Sequence, residues 1–315
     1  MTHALDHDVA IIGGGVAGLS AAVALGRSLR SVIVVDGGEP RNASASGAHN
    51  VLGQDGISPL DLLAAGRREA EAYGAEFHQG YASAARNVDD GFEIDLDDGT
   101  TLRARRLMLA SGLVDELPDV PGIAEQWGKS VLHCPYCHGW EVRGQRIGVL
   151  GTGPMSVHQA LLFRQLSDNV TLFAHTMDDV DDETAERLAA RGVQLVVGAV
   201  DRLRTDQGGV RAVVVNGRDF PIDAAVVAPR FAARTDVFEQ LGGTPTEHPM
   251  GVFIETDLAG RTSVPGVWAA GNASELHAMV AASNGAGVQA AAAINGDLVE
   301  EDTERAVRER AIAVA

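Results

Sequence analysis

Short apolar runs that end on glycine organise this chain. Asp8-Val-Ala-Ile-Ile leads into Gly13-Gly14-Gly15-Val16-Ala17-Gly18, and a helical pattern continues to about Arg30. A second apolar run, Ser31 to Val35, ends on Asp36. The same succession returns at Arg146-Ile-Gly-Val-Leu150. There Gly151-Thr152-Gly153-Pro154-Met155-Ser156 follows, then a helical pattern to about Leu166 and a strand pattern at Val170-Thr-Leu-Phe173. Between the two units, Ser58 as N-cap and Pro59 in the first turn predict a helix with an apolar stripe through Leu60, Leu63 and Ala64. Strand patterns follow at Glu76–His78, Phe92–Leu96 and Leu107–Ala110, and later at Gln194–Val197, Val210–Val215 and Ala224–Val227. A last strand, Gly266–Ala270, meets Gly271-Asn272. A small-residue helix is predicted over Ala286–Leu298, and the charged run Glu300–Glu309 reads as a solvated helix face. Strand–glycine–helix units of this kind imply an α/β fold with two Rossmann-like dinucleotide-binding domains.

Length agrees: 315 residues at about 150 per domain suggest two domains. Composition narrows the function. The chain has 45% apolar and 22% charged residues, an ordinary globular balance. Its 25 basic and 43 acidic residues leave a net charge of −18, which repels phosphate backbones and argues against nucleic-acid binding. Val9–Gly26 and Leu276–Gly296 lack charged residues, but the first is glycine-rich with acids before it and the second is alanine-rich with polar residues inside it. Neither reads as an export signal or a membrane span, so a cytoplasmic location is expected. Two cysteines, Cys134 and Cys137, cannot form a secreted disulfide framework. In a reducing compartment so close a pair is expected to be redox-active or metal-binding.

The first glycine loop meets the physical requirements of a dinucleotide site. Gly13 permits the tight turn, Gly15 lets a pyrophosphate approach the backbone, and Gly18 lets helix and strand pack closely. The helix N-terminus then faces the phosphates. Asp36, 23 residues after Gly13, is placed to bond a ribose hydroxyl.

The cysteines stand in His133-Cys134-Pro135-Tyr136-Cys137-His138-Gly139-Trp140-Glu141. Cys-x-x-Cys-His matches a c-type haem attachment signature, which would need export and leave the dinucleotide units idle. A zinc site lacks a second Cys-x-x-Cys, so no metal is expected. Cys-Pro-Tyr-Cys resembles a glutaredoxin centre, although glutaredoxins are small and carry it near the N-terminus. A buried structural pair and a dithiol–disulfide couple beside a flavin complete the alternatives.

The order of motifs is specific: the first glycine loop, His-Asn50-Val-Leu-Gly53, Ala110-Ser111-Gly112, the cysteine pair, a second glycine loop, and Thr262-Ser-Val-Pro-Gly-Val-Trp-Ala-Ala-Gly271. It resembles the low-molecular-weight thioredoxin reductase family of flavoproteins over nearly the whole chain. The resemblance implies two three-layer ββα domains of the pyridine nucleotide-disulfide oxidoreductase type. It divides the chain into an FAD-binding domain, 1–113 plus 245–315, and an inserted domain at 114–244 that carries the cysteines. It further implies a homodimer and an FAD site formed by Gly13, Gly15, Val16, Ala17, Gly18, Asp36, Arg41, Asn50, Ser111, Gly112, Gly271 and Asn272.

Several positions depart from the reductase pattern. Asn272 replaces the acid that binds the ribityl chain, Met279-Val280 replaces an Arg-Gln pair, and His138 replaces the acid after the second cysteine. In the second unit His158-Gln159 stand where the reductases carry acids. Asp178, Asp179, Asp181 and Asp182 stand where they carry arginines for the NADPH 2′-phosphate. His175 occupies the ribose-acid position. The Cys-x-x-Cys-His-Gly variant with such a second site resembles the FAD-dependent dithiol oxidases of disulfide-containing natural products. These use molecular oxygen as electron acceptor. By that resemblance Cys137 is the flavin-proximal thiol and Cys134 the interchange thiol that meets a small dithiol. His138 is the first candidate base and His133 the second, while His158, His175 and His277 read as structural or exposed. A reductase served by NAD(P)H and acting on a thioredoxin-like protein, and a flavin-binding redox sensor, are the alternatives.

Overall fold

The computed structural model describes residues 6–153 and 155–314, so Pro154 of the second glycine loop lies outside the described residues. The chain divides into two compact units: residues 1–43, 59–114 and 231–315 form one, residues 44–58 and 115–230 the other.

The first unit is built on a sheet whose order is Glu76–Gln79, Val32–Asp36, His7–Ile12, Thr101–Leu109, Gly91–Leu96, Ala82–Val88. Thr101–Leu109 divides one of its edges between two partners. Its first half pairs antiparallel with Gly91–Leu96, and its second half parallel with Val267–Ala269. The antiparallel hairpin and the helices therefore end on opposite faces of the parallel strands. Alternation along His7–Ile12 records this. Val9 and Ile11 face a core with Ala21, Leu25 and Ile294 of the helices, while Ala10 and Ile12 face a core with Phe92 and Ile94 of the hairpin. A strand covered on both faces has no polar side, and this is why it reads as a continuous apolar run.

The second unit repeats the plan. A five-stranded parallel sheet runs Gln194–Val196, Val170–Phe173, Ile147–Leu150, Ala224–Val226, Val131–Leu132. Val149 and Leu172 face the helices with Ala160, Phe163 and Leu188. Leu150 and Phe173 face a three-stranded antiparallel sheet through Val200, Leu203 and Val213. Both units are thus three-layer α/β, as the motif order implied.

Two boundaries differ from expectation. The second unit ends at Arg230 rather than 244, because Phe231 and Ala232 pair in parallel with Gly251 and Val252 of the first unit. Residues 44–58, expected in the first domain, fold with the second unit. The C-terminus also differs. The predicted helix 286–298 and the charged run after it are one helix, Val280–Val314. Its acids are not all solvated: Asp302 bonds Arg30 at 2.8 Å and Arg105 at 2.6 Å, and Glu301 bonds Arg105 and Arg106, both at 2.6 Å. Arg105 and Arg106 are nearly buried, and buried guanidinium groups are kept in folded chains by such pairing. The bonds from Arg30 lead those that hold the Asp302 carboxyl low, at about 2. No helix among the described residues is long and apolar enough to cross a membrane.

Candidate active site

The dinucleotide cradle of the first unit is made by three glycines with different duties. Gly13 has φ 111°, and a Cβ there would overlap the Ala110 carbonyl. A Cβ on Gly18 would overlap the Gly13 carbonyl, so the helix Val16–Arg27 can approach its strand only with glycine at that turn. Gly15 is different: it has ordinary φ of −73°, and no protein atom lies within 4 Å of a Cβ placed on it. Protein packing therefore does not require glycine there, and the open space suits a ligand that must touch the backbone. Gly15 caps the helix without a side-chain bond, and the first turn carries no acid. The amides of Val16, Ala17 and Gly18 belong to the first helical turn, whose N–H groups have no partner within the helix. Asp36 is tied into the loop, since the Gly14 amide donates to its Oδ1 at 3.1 Å. An FAD pyrophosphate fits this loop and the helix dipole behind it.

The other expected cofactor residues of this unit are drawn together by the chain itself. Gly271 has φ 71°, and a Cβ there would press on Ala17. Asn272 lies beside it. Its Nδ2 reaches the carbonyls of Glu275 at 3.0 Å and Ala278 at 3.1 Å, and Arg41 Nη1 donates to its Oδ1 at 3.1 Å. An aspartate could accept from Arg41 but could not donate to those carbonyls, so the change to asparagine turns this position into a clamp on the following turn. One lone pair of Oδ1 stays available to a ligand hydroxyl. Ser111 donates its hydroxyl to the Arg234 carbonyl at 3.0 Å, and the Arg234 amide donates to the Gly112 carbonyl at 3.1 Å. Arg234, which sequence reading passed over, thus ties the Ser111-Gly112 turn to its own strand. Asn50 belongs to the second unit, where its Nδ2 donates to the Tyr136 carbonyl of the dithiol helix at 2.8 Å.

In the second unit the cysteines open a single helical turn, Pro135–His138. Cys134 is its N-cap, and its Sγ accepts the Cys137 amide at 3.2 Å. Pro135 has no amide to leave unpaired at the first helical position. A Cβ on Gly139 would overlap both the Pro135 carbonyl and Leu166, so glycine fixes where the turn ends. His138 is half-buried, and its Nε2 is buried with no hydrogen-bond partner among the described residues. Burial pushes its pKa below the ordinary 6.5; Glu141 opposes this and His49 adds to it. A neutral imidazole at pH 7 has a lone pair free to take a thiol proton. His133 is used otherwise. Its Nδ1 lies 3.1 Å from the Val227 carbonyl, and Gln159 Nε2 donates to the His133 carbonyl at 2.8 Å.

The second glycine loop is filled from within. The Thr152 and Gly153 amides, which would face a pyrophosphate, donate to Ser156 Oγ at 3.0 and 3.4 Å. Met177 lies where a Cβ on Gly151 would stand, and its amide donates to the Gly151 carbonyl at 3.0 Å. His175 takes left-handed backbone, φ 43°, and accepts the Val200 amide on Nδ1 at 3.0 Å. Beyond the loop is a cavity of about 310 Å³ lined by Asp178, Asp179 and Asp181, with His158 and Arg187 also on its wall. Asp181 caps the following helix by accepting the Thr184 amide at 2.7 Å. No group of three or more potential metal-ligating side chains occurs among the described residues.

A family model described as pyridine nucleotide-disulphide oxidoreductase matches residues 7–293. Thioredoxin reductase tcpT of Claviceps purpurea (strain 20.1) is 36% identical over 84% of this chain and 86% of its own length. Thioredoxin reductase sirT of Leptosphaeria maculans is 30% identical over 91% of this chain and 93% of its own. The crystal structure of HlmI is similar at a TM-score of 0.93 and 43% identity, covering 100% of this chain and 99% of that one. Matched over almost its full length and carrying the glycine cradle and the cysteine pair, the chain belongs to the pyridine nucleotide-disulphide oxidoreductase family, as an FAD-binding disulfide oxidoreductase of the thioredoxin reductase type.

Proposed function

We propose that this flavoprotein is a dithiol oxidase, which closes a disulfide in a small dithiol and uses oxygen as the electron acceptor. The observation that carries this reading is the self-filled second glycine loop. Ser156 Oγ holds two of its amides, and three aspartates, Asp178, Asp179 and Asp181, outnumber the one arginine, Arg187, along the cavity beyond. A nicotinamide dinucleotide phosphate would have to break those bonds and bring its 2′-phosphate against like charge. On this reading the electrons come from the thiol substrate.

The residues divide the work as follows. Cys134 Sγ, in disulfide with Cys137, receives a substrate thiolate, and the Cys134–Cys137 bond breaks with the electron pair left on Cys137. The second substrate thiolate attacks the substrate sulfur of the mixed disulfide, which frees Cys134 and releases the cyclised product. The Cys137 amide donates to Cys134 Sγ, a bond that a thiolate accepts more strongly than a thiol. His138 is the base that takes the proton of the entering substrate thiol, and it passes that proton to solvent before the second thiol ionises. Gly13, Gly15 and Gly18, with the first turn of their helix, hold the FAD pyrophosphate, and Asp36 holds the adenosine ribose. The chemistry that bound FAD supplies is acceptance of two electrons from a dithiol and their delivery to oxygen.

In air the holoenzyme should convert a small dithiol such as dithiothreitol into its disulfide, with one peroxide formed per disulfide. An oxygen electrode and a peroxidase assay measure the ratio. Failure to consume oxygen, with reduction of a thioredoxin by NAD(P)H instead, would sink the oxidase reading in favour of a reductase.

A further inference from the structure

The mechanism above leaves the 44–58 segment of the dithiol unit without a task. Its backbone is pinned in several places. The Ala48 amide donates to the Ile57 carbonyl at 2.7 Å, and the two residues form an isolated bridge. Asn50 takes left-handed backbone, φ 60°. Its amide donates to Asp55 Oδ1 at 2.8 Å, and its Nδ2 to the Tyr136 carbonyl of the dithiol helix at 2.8 Å. These bonds set His49 between two carboxylates. Nδ1 lies 3.3 Å from Asp55 Oδ2, and Nε2 lies 3.5 Å from Glu141 Oε1. The ring then stands against His138 edge to face, with centroids 6.5 Å apart and planes at 85°.

We propose that His49 is a positioning residue of the dithiol site, which fixes the His138 ring and engages Glu141 so that His138 stays neutral and ready to take a thiol proton. The proposal rests on the reading of His138 as the base of the Cys134–Cys137 couple. Three titratable groups bear on that ring from two segments: Glu141 follows the dithiol helix, and His49 stands in front of Asp55 on the loop. Glu141 favours a protonated His138, while His49 and burial oppose it. Without His49, the Glu141 carboxylate would lose its partner and act on His138 unscreened. The edge-to-face placement of one imidazole on the other adds an orienting contact that charge alone does not supply.

The test is a pH titration of the His138 ring protons by NMR in the reduced protein, with the resonance identified by its loss in His138→Asn. In His49→Gln the midpoint should rise by on the order of one pH unit. In His49→Phe it should rise as well, because the ring remains but the nitrogens do not. In Glu141→Gln, a half-exposed position that does not hold the loop, the midpoint should fall below that of the unaltered protein. Combining His49→Gln with Glu141→Gln should cancel most of the rise. The acid limb of dithiol oxidation should follow the same order. An unmoved midpoint in His49→Gln and in Glu141→Gln would overturn the proposal. So would a loss of activity that is equal at every pH with the midpoint in place, which is what a purely structural role predicts. The titration is read on protein thiols without any electron acceptor. It therefore still reports on His49 if the chain proves to be a reductase, and an oxidase with an unmoved midpoint would fault His49 alone.

Discussion

Cys134→Ser will lower dithiol oxidation by roughly 10³-fold or more, while the protein stays folded and yellow. The loss follows from chemistry: a hydroxyl forms no disulfide, so neither the entering thiolate nor Cys137 has a sulfur to exchange with. The retained fold follows from geometry. Cys134 caps the dithiol helix through Sγ, which accepts the Cys137 amide, and serine is a better N-cap acceptor than cysteine. The FAD cradle belongs to the other unit and contains neither cysteine. The companion variant separates the roles. Cys137→Ser leaves the interchange thiol without its internal partner, so incubation with a small disulfide should leave one substrate half on Cys134, visible as a mass increase of the intact protein. A stable adduct in Cys134→Ser and none in Cys137→Ser would mean that the two roles are reversed.

Gly15→Ala will weaken FAD binding by roughly 10- to 10⁴-fold and leave the stability of the FAD-free protein almost unchanged. A charge-assisted hydrogen bond contributes about 1.5–3 kcal/mol, and a methyl group between the loop and the pyrophosphate displaces one or two of them. Within the protein that methyl meets nothing within 4 Å, and Gly15 has a backbone conformation open to alanine. Gly18→Ala makes the contrast. Its Cβ would overlap the Gly13 carbonyl, so the strand–helix unit itself must shift, at a cost of about 1–3 kcal/mol typical of overpacking. Flavin absorbance after purification and thermal unfolding of the apoprotein distinguish the two. If Gly15→Ala kept FAD at wild-type affinity, the open space above Gly15 would not be where the pyrophosphate lies.

Much of this site is legible in the sequence because its physics is local. A glycine that must have positive φ or bear a close contact leaves a spacing, and Gly13, Gly15 and Gly18 leave all three positions in register with a buried strand. The cysteine pair is equally plain, since Pro135 and Gly139 bound the turn that Cys134 caps. What sequence reading missed depends on folding across long separations. His49 and Asp55 lie in a segment with no periodic pattern, and it is the folded contacts of Asn50 with Tyr136 and of His49 with His138 and Glu141 that show the segment belongs with the dithiol helix. Ser156 offered a weak local signal, a hydroxyl just past a glycine loop, but whether it caps the loop or leaves it open is settled by side-chain direction. Glu301 and Asp302 looked solvated because their partners, Arg30, Arg105 and Arg106, are about two hundred residues away or more along the chain.

The second unit shows why a fold and a binding site must be argued separately. It keeps the strand–glycine–helix order and the three layers, since hydrophobic burial on both faces of its sheet maintains them without a ligand. Its loop amides are nonetheless satisfied by Ser156. The central claim, that thiols and not nicotinamides deliver the electrons, is open to one direct measurement. In an anaerobic cuvette the flavin absorbance near its visible maximum is followed while NADPH, then NADH, then a small dithiol are added in excess. The account predicts that the colour persists through both nucleotides and bleaches with the dithiol. Rapid bleaching by either nucleotide before any dithiol is present would contradict it.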